Sequence, residues 1–185
     1  MSVLMFGRVD LSYLDDWDFD SEFPGSGDEK RLRIVSAEEW AVRERWFIGS
    51  VSLRVGEALF DYGETPLLDF SLSLRHALNL LAADDYSTFI ADGGSELQLS
   101  LDRGIVELRR VGSDVVGVVE FVDLAKASAR FMREFIDDRT QSIPDLLLND
   151  SIERIYRESG ARELGRDRFL LHSRAVRVRN SMRNS

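Results

Sequence analysis

Cysteine is absent from this 185-residue chain, proline occurs three times and histidine twice. Without a thiol there is no disulfide framework, no thiolate nucleophile and no Cys-ligated zinc, a usage that fits a reducing compartment. His76 and His172 cannot supply a histidine metal triad. Three prolines argue against a linker-rich architecture. No apolar run approaches the roughly 20 residues that a membrane-spanning helix needs. Met1–Asp10 holds a short apolar run but neither the basic start nor the small-residue cleavage site of a secretory signal. The expectation is therefore a cytoplasmic chain with no membrane role. Phosphate-cradling loops are missing too: no G-x-x-x-x-G-K-[ST] and no strand-linked G-x-G-x-x-G occurs, and Gly25/Gly27 and Gly93/Gly94 lack the lysine and helix that would follow.

What is present is negative charge. The formal net charge is −9, with 44% hydrophobic and 31% charged residues, a globular composition of a length that builds one domain with a real core. The charge is unevenly placed: residues 1–160 carry −14 and residues 161–185 carry +5, the latter from seven arginines against two acids. This divides the chain into a single acidic domain over 1–160 and a basic C-terminal segment over 161–185, solvated or docked. An acidic body repels a phosphate backbone and an anionic bilayer, which argues against nonspecific nucleic-acid and membrane binding and leaves a basic protein, a cation or no partner at all.

Hydrophobic periodicity predicts an α+β fold: an antiparallel meander sheet of about five to seven strands with two or three helices packed on it. Val3–Val9 and Arg31–Val35 read as strands, and Ser36–Glu39 as a capping box over one short turn. Phe47, Val51, Leu53 and Val55 alternate against Ser50, Ser52 and Arg54, with Gly56-Glu57 turning the chain into a partner at Ala58–Tyr62. Thr65-Pro66 reads as a helix start, Thr65 capping and Pro66 in the first turn, for a helix to Ala83 whose inner face is Leu67, Phe70, Leu74, Ala77, Leu78 and Leu81. Four strands follow at Thr88–Ala91, Glu96–Leu101, Ile105–Val111 and Val115–Phe121, and their short links force antiparallel neighbours. Asp123 reads as the cap of a second long helix to Asp138, burying Leu124, Ser128, Phe131, Met132 and Phe135. Its outer Lys126, Arg130, Arg133, Glu134 and Asp137 read as a solvated face. A third helix lies within Pro144–Glu158.

The densest signal is the stretch 10–30. Between Arg8 and Lys30 there are eight acids and no base, with Tyr13, Trp17, Phe19 and Phe23 threaded among them. If Tyr13–Phe23 is extended, Asp16, Asp18 and Asp20 point one way and Trp17 and Phe19 the other. Tyr13, Asp15, Asp16, Trp17, Asp18, Phe19, Asp20 and Glu22 are the candidate partner-binding residues, with carboxylates steering a basic surface and aromatic rings as anchors. Three fates are open to the row: a foreign basic surface, the chain's own arginine-rich tail, or mobility. Asp16-Trp17-Asp18-Phe19-Asp20 lacks the glycine a calcium loop turns on, so no metal and no cofactor is assigned.

His76 lies opposite the apolar stripe of its helix, grouped with Asp69, Leu72 and Leu80. Two leucines around a histidine on an outer face imply either a second buried face or a surface for self-association. No nucleophile stands at a recognised spacing from His76, so no catalytic residue is assigned. An enzyme would need a deep pocket with convergent polar groups.

Val51-Ser52-Leu53-Arg54-Val55-Gly56, Pro66-Leu67-Leu68-Asp69-Phe70, the Leu97–Leu108 hairpin and the Phe131–Phe135 helix together resemble the layout of the small acidic immunity proteins that accompany bacterial polymorphic toxins. That resemblance implies stoichiometric inhibition of a basic toxin domain through charge-complementary contact. It transfers no site residue, and both the acidic stretch and the basic tail lie outside it. The rival expectation is a structural or self-associating module using the outer face of the 66–83 helix.

Overall fold

The computed structural model describes residues 7–92 and 96–159. In chain order the elements are β1 (Val9–Asp15), α1 (Phe19–Glu22), α2 (Gly27–Ser36), α3 (Glu39–Glu44), β2 (Ile48–Val55), β3 (Ala58–Pro66) and α4 (Leu67–Asp84). There follow β4 (Tyr86–Phe89), β5 (Leu97–Asp102), β6 (Ile105–Arg110), β7 (Val116–Glu120), α5 (Phe121–Ser142), a 3-10 turn at Pro144–Leu148 and α6 (Asp150–Ser159). The class is α+β with antiparallel pairing throughout.

The strands form two sheets rather than one, ordered β1-β2-β3 and β4-β5-β6-β7. The eighteen-residue α4 stands between β3 and β4 and carries the chain away, so β4 starts a new sheet instead of extending the first. The sheets meet where β7 crosses the β2–β3 hairpin. A Cβ on Gly117 would lie 2.9 Å from Val55 Cβ, so only glycine permits this approach, and the Gly7 N–H donates to the Val118 carbonyl at 3.3 Å. The second sheet is the expected four-strand meander. In it Leu97, Leu99, Leu101, Val106, Leu108 and Val119 are buried.

Both long helices bury the faces their periodicity assigned. Leu67, Phe70, Leu74, Ala77, Leu78 and Leu81 of α4 are buried, as are Leu124, Ser128, Phe131, Met132 and Phe135 of α5. Their starts differ from expectation. Thr65 and Pro66 belong to β3, and the Thr65 hydroxyl is buried without a hydrogen-bond partner rather than capping α4. The ladder continues to the helix because the Leu67 N–H donates to the Phe47 carbonyl at 2.9 Å. Likewise α5 begins at Phe121 with Asp123 in its first turn, where a carboxylate favours the helix dipole.

The larger corrections lie before β2. The strand expected at Val3–Val9 is observed at Val9–Asp15, and residues 1–6 lie outside the described residues. Arg31–Val35 is helical within α2, not a strand. The capping box forms at Ser26 and Glu29, and none forms at Ser36. On a helix only Ile34 of this stretch turns inward, which leaves Leu32 and Val35 exposed. The helix is held there by a distant residue. Asn149, itself buried, donates through Nδ2 to the carbonyls of Ile34 (2.8 Å) and Ala37 (2.9 Å), tying down the end of α2. Its Oδ1 accepts from the N–H groups of Ser151 (3.0 Å) and Ile152 (3.3 Å) and so caps α6. The third helix expected over Pro144–Glu158 is thereby split at Asn149 into the 3-10 turn and α6. The basic segment 161–185 and His172 lie outside the described residues.

Replacing Asn149 by alanine removes both donors and the cap, leaving the Ile34 carbonyl only its 3.4 Å bond from the Ala37 N–H and stripping the half-buried Ala37 carbonyl of its side-chain donor. We expect a loss of about 2–4 kcal/mol by denaturant unfolding. Asn149→Asp keeps the cap acceptor but loses the donors, and recovers only part of it.

Candidate functional site

Beyond Asp15 the acidic stretch is not extended. It follows β1 to Asp15, turns at Asp16–Asp18 and closes in the one-turn helix α1. Asp18 is the N-cap: its Oδ1 accepts from the N–H groups of Asp20 (3.1 Å) and Ser21 (3.3 Å), and its Oδ2 accepts from the Ser21 hydroxyl (2.6 Å). Those bonds, the Ser21 hydroxyl first, hold the Asp18 carboxyl below its usual value of 3.8.

The expected division into two faces survives this change of backbone. Asp16, Asp18, Asp20 and Glu22 are exposed, while Asp15, Trp17 and Phe19 are half-buried. Trp17 lies on Phe47 with ring centroids 4.6 Å apart, stacks at 6.2 Å on Trp46, and meets Phe19 and Phe23 edge-on. Trp17 and Phe19 therefore anchor the segment to its own body. Asp15 turns inward: its carboxylate accepts from the Trp17 N–H at 2.8 Å, and Arg139 Nη1 lies 2.8 Å from its Oδ2. Tyr13 packs edge-on against Phe131 and Phe135 and donates its hydroxyl to Asp138 at 3.3 Å. Burial, with the Asp138 charge second, pushes the Tyr13 hydroxyl up to about 12.

Of the eight partner-binding candidates, the structure thus leaves Asp16, Asp18, Asp20 and Glu22 as an outward ridge and uses the other four inwardly. Sequence reasoning missed the internal cations. Lys30 meets Asp20 at 2.5 Å and sits 5.4 Å over the Phe19 ring. Arg139, in the last turn of α5, reaches the end of β1. Neither spacing is visible in the chain, because both pairs are made by tertiary packing.

The second candidate set divides similarly. Asp69 is paired with Arg43 (Nη2 to Oδ1, 2.6 Å; Nε to Oδ1, 3.1 Å) and accepts from the Ser73 hydroxyl. Leu72 and His76 line a groove of about 450 Å³ between α4, β4, α3 and α6, and Leu80 continues the same row, 40% exposed. A smaller cleft of about 340 Å³ lies between the start of β1 and α5, where Arg8, Lys126, Arg130 and Arg133 face Asp123. Lys126, Arg130 and Arg133, three of the five α5 residues read as a solvated face, therefore line a concave basic surface. Among the described residues no three of His, Asp and Glu gather as a metal site, and no helix is long and apolar enough to cross a membrane.

No protein-family model, no curated protein and no solved structure matches this chain.

Because the Asp18 bonds favour the carboxylate, the folded pKa is the depressed one. The α1 cap is then complete above the usual carboxylate range and is lost as pH falls through the folded value. In an NMR titration the Asp18 carboxyl and the Ser21 amide should share a midpoint below 3.8. A midpoint at or above it excludes this capping geometry.

Proposed function

We propose that this chain is a non-enzymatic protein-binding domain whose acidic ridge docks on a basic protein, in the manner of immunity proteins that neutralise polymorphic toxins. The observation that carries the reading is the split at Asp15–Glu22: four carboxylates face water while the residues between them are pinned to the core. Pinning matters energetically. A ridge already ordered by Trp17 on Phe47 and by the Asp18 cap loses little further freedom on binding. The overall charge of −9 extends the same field over the surface and accelerates encounter with a cation-rich partner.

The ridge supplies steering and register. Half-buried Trp17 and Phe19 serve as its foundation, so affinity at this surface resides in charge complementarity and the rim around it. Inhibition by such a domain requires only that the ridge cover the toxin's basic substrate-binding surface, with no step of chemistry by this chain.

Reversing Asp16, Asp20 and Glu22 to lysine tests this while leaving the Asp18 cap in place. Stopped-flow association with a purified basic toxin domain that the chain binds should slow by about tenfold or more, with a flatter salt dependence. An unchanged rate and slope removes the ridge from the mechanism.

A further inference from the structure

The outer edge of the second sheet is β4, and its sequence through the following residue is Tyr86-Ser87-Thr88-Phe89-Ile90, five residues with no charge, proline or glycine. Strand edges of soluble proteins are ordinarily blunted by charge, proline or a bulge, because an apolar edge templates further pairing. The ladder shows which backbone groups are free to pair. The Leu101 N–H donates to the Asp85 carbonyl at 2.8 Å, and the register continues as Ser87↔Leu99 and Phe89↔Leu97. Ser87 and Phe89 therefore bond inward to β5, and Tyr86, Thr88 and Ile90 direct their N–H and C=O groups outward. Among the described residues no backbone group bonds to these three from outside. The Thr88 carbonyl receives only a long 3.4 Å contact from the Ser87 hydroxyl. The same residues are exposed, Ile90 at 63% and Tyr86 at 51%.

We propose that this edge pairs with the β4 edge of a second copy of the chain, in an antiparallel twofold centred on Thr88. The occupant follows from the self-complementarity of the strand. With Thr88 on the axis, Thr88 faces Thr88 and Tyr86 faces Ile90 of the other copy, both favourable cross-strand pairs. The outward-bonding residues are then the ones that fall opposite each other, which a twofold interface demands. Two four-stranded sheets become one of eight.

An edge about 14 Å long buries, alone, far less than the roughly 1,600 Å² total of a standard interface. The remaining contact is supplied by α4, which runs beside β4 and presents Leu72, His76 and Leu80 at four-residue spacing along the groove. Such a row forms a packing ridge that meets its twofold mate across the same axis. The two charged residues that line the groove are engaged within the monomer, Arg43 with Asp69 and Glu39 with Arg154, and beside them lie apolar Leu72, Ala77, Ile90 and Ile155.

Sedimentation velocity of the full chain from micromolar to submillimolar concentration tests this. A monomer–dimer equilibrium is expected, and Thr88→Pro and Leu72→Glu should each raise its dissociation constant by about tenfold or more. Thr88→Pro deletes an outward N–H that β5 does not use, so the ladder within the monomer is retained. Should that variant fail to fold, Ile90→Lys probes the same edge through its side chain. In the dimer the Thr88 amide is slow to exchange with deuterium, and it exchanges fast on dilution. Reversal of the acidic ridge leaves the dimer intact, which separates this surface from the toxin-binding reading. A chain that stays monomeric throughout, whether or not it accepts a strand from another protein, overturns the proposal. So does a dimer that survives both edge and groove substitutions.

Discussion

Edge-to-face and tilted contact between aromatic rings carries this fold from the acidic ridge to the β4 edge. Trp17 rests on Phe47, Phe47 meets Phe135 at 5.4 Å, and Tyr13 bridges Phe135 and Phe131. Phe131 meets Phe70 at 5.8 Å, and Phe70 meets Phe89 in β4 at 5.1 Å. Each such pair contributes about 0.5–1.5 kcal/mol beyond the area it buries. The seam runs through α5, whose Phe131 and Phe135 lie one turn apart and reach β1 on one side and α4 on the other. Two sheets that share no strand are joined by this helix, by α4 and by the direct approach of β7 to the β2–β3 hairpin.

That dependence explains the form of the acidic ridge. Eight acids in 21 residues would repel one another and keep the stretch in water if nothing opposed them. Burial of Trp17, Phe19 and Phe23 opposes them, assisted by Arg139 at Asp15 and Lys30 at Asp20. The exposed pair at Asp20 adds little stability in water, whereas Asp15 and Arg139 are largely sheltered and would be costly to leave single. The outcome is an ordered negative surface whose order derives from apolar packing rather than from its charges.

The charge that the chain places elsewhere is equally local. Arg8, Lys126, Arg130 and Arg133 make a basic cleft at the opposite end of β1 from the ridge, so an acidic protein carries a strongly polar axis along its β1–α5 layer. The β4 edge, by contrast, is nearly free of charge. The proposed steering by the ridge and pairing at the edge would therefore rely on different forces, one screened by salt and the other not.

Much of the fold was legible in the chain because period alone decides it. The meander from β4 to β7, the β2–β3 hairpin and the buried faces of α4 and α5 each follow from which residues share a side, and no distant residue changes that. The inward and outward alternation around Trp17 was legible for the same reason. What tertiary structure decided are the places where local signals are balanced. Leu32 and Ile34 fit a strand as well as a helix until the Ser26–Glu29 box and the buried Asn149 amide, more than a hundred residues away, favour the helix. Thr65 and Pro66 fit a helix start until β2 pairs with them. The split into two sheets rests on the reach of α4 and on a missing side chain at Gly117. The partners of Asp15 and Asp20, and the free edge of β4, are properties of chain segments brought together. Sequence by itself determined which faces are apolar and where the charge lies; only packing decided what each face meets, because long-range contacts leave no period in the chain.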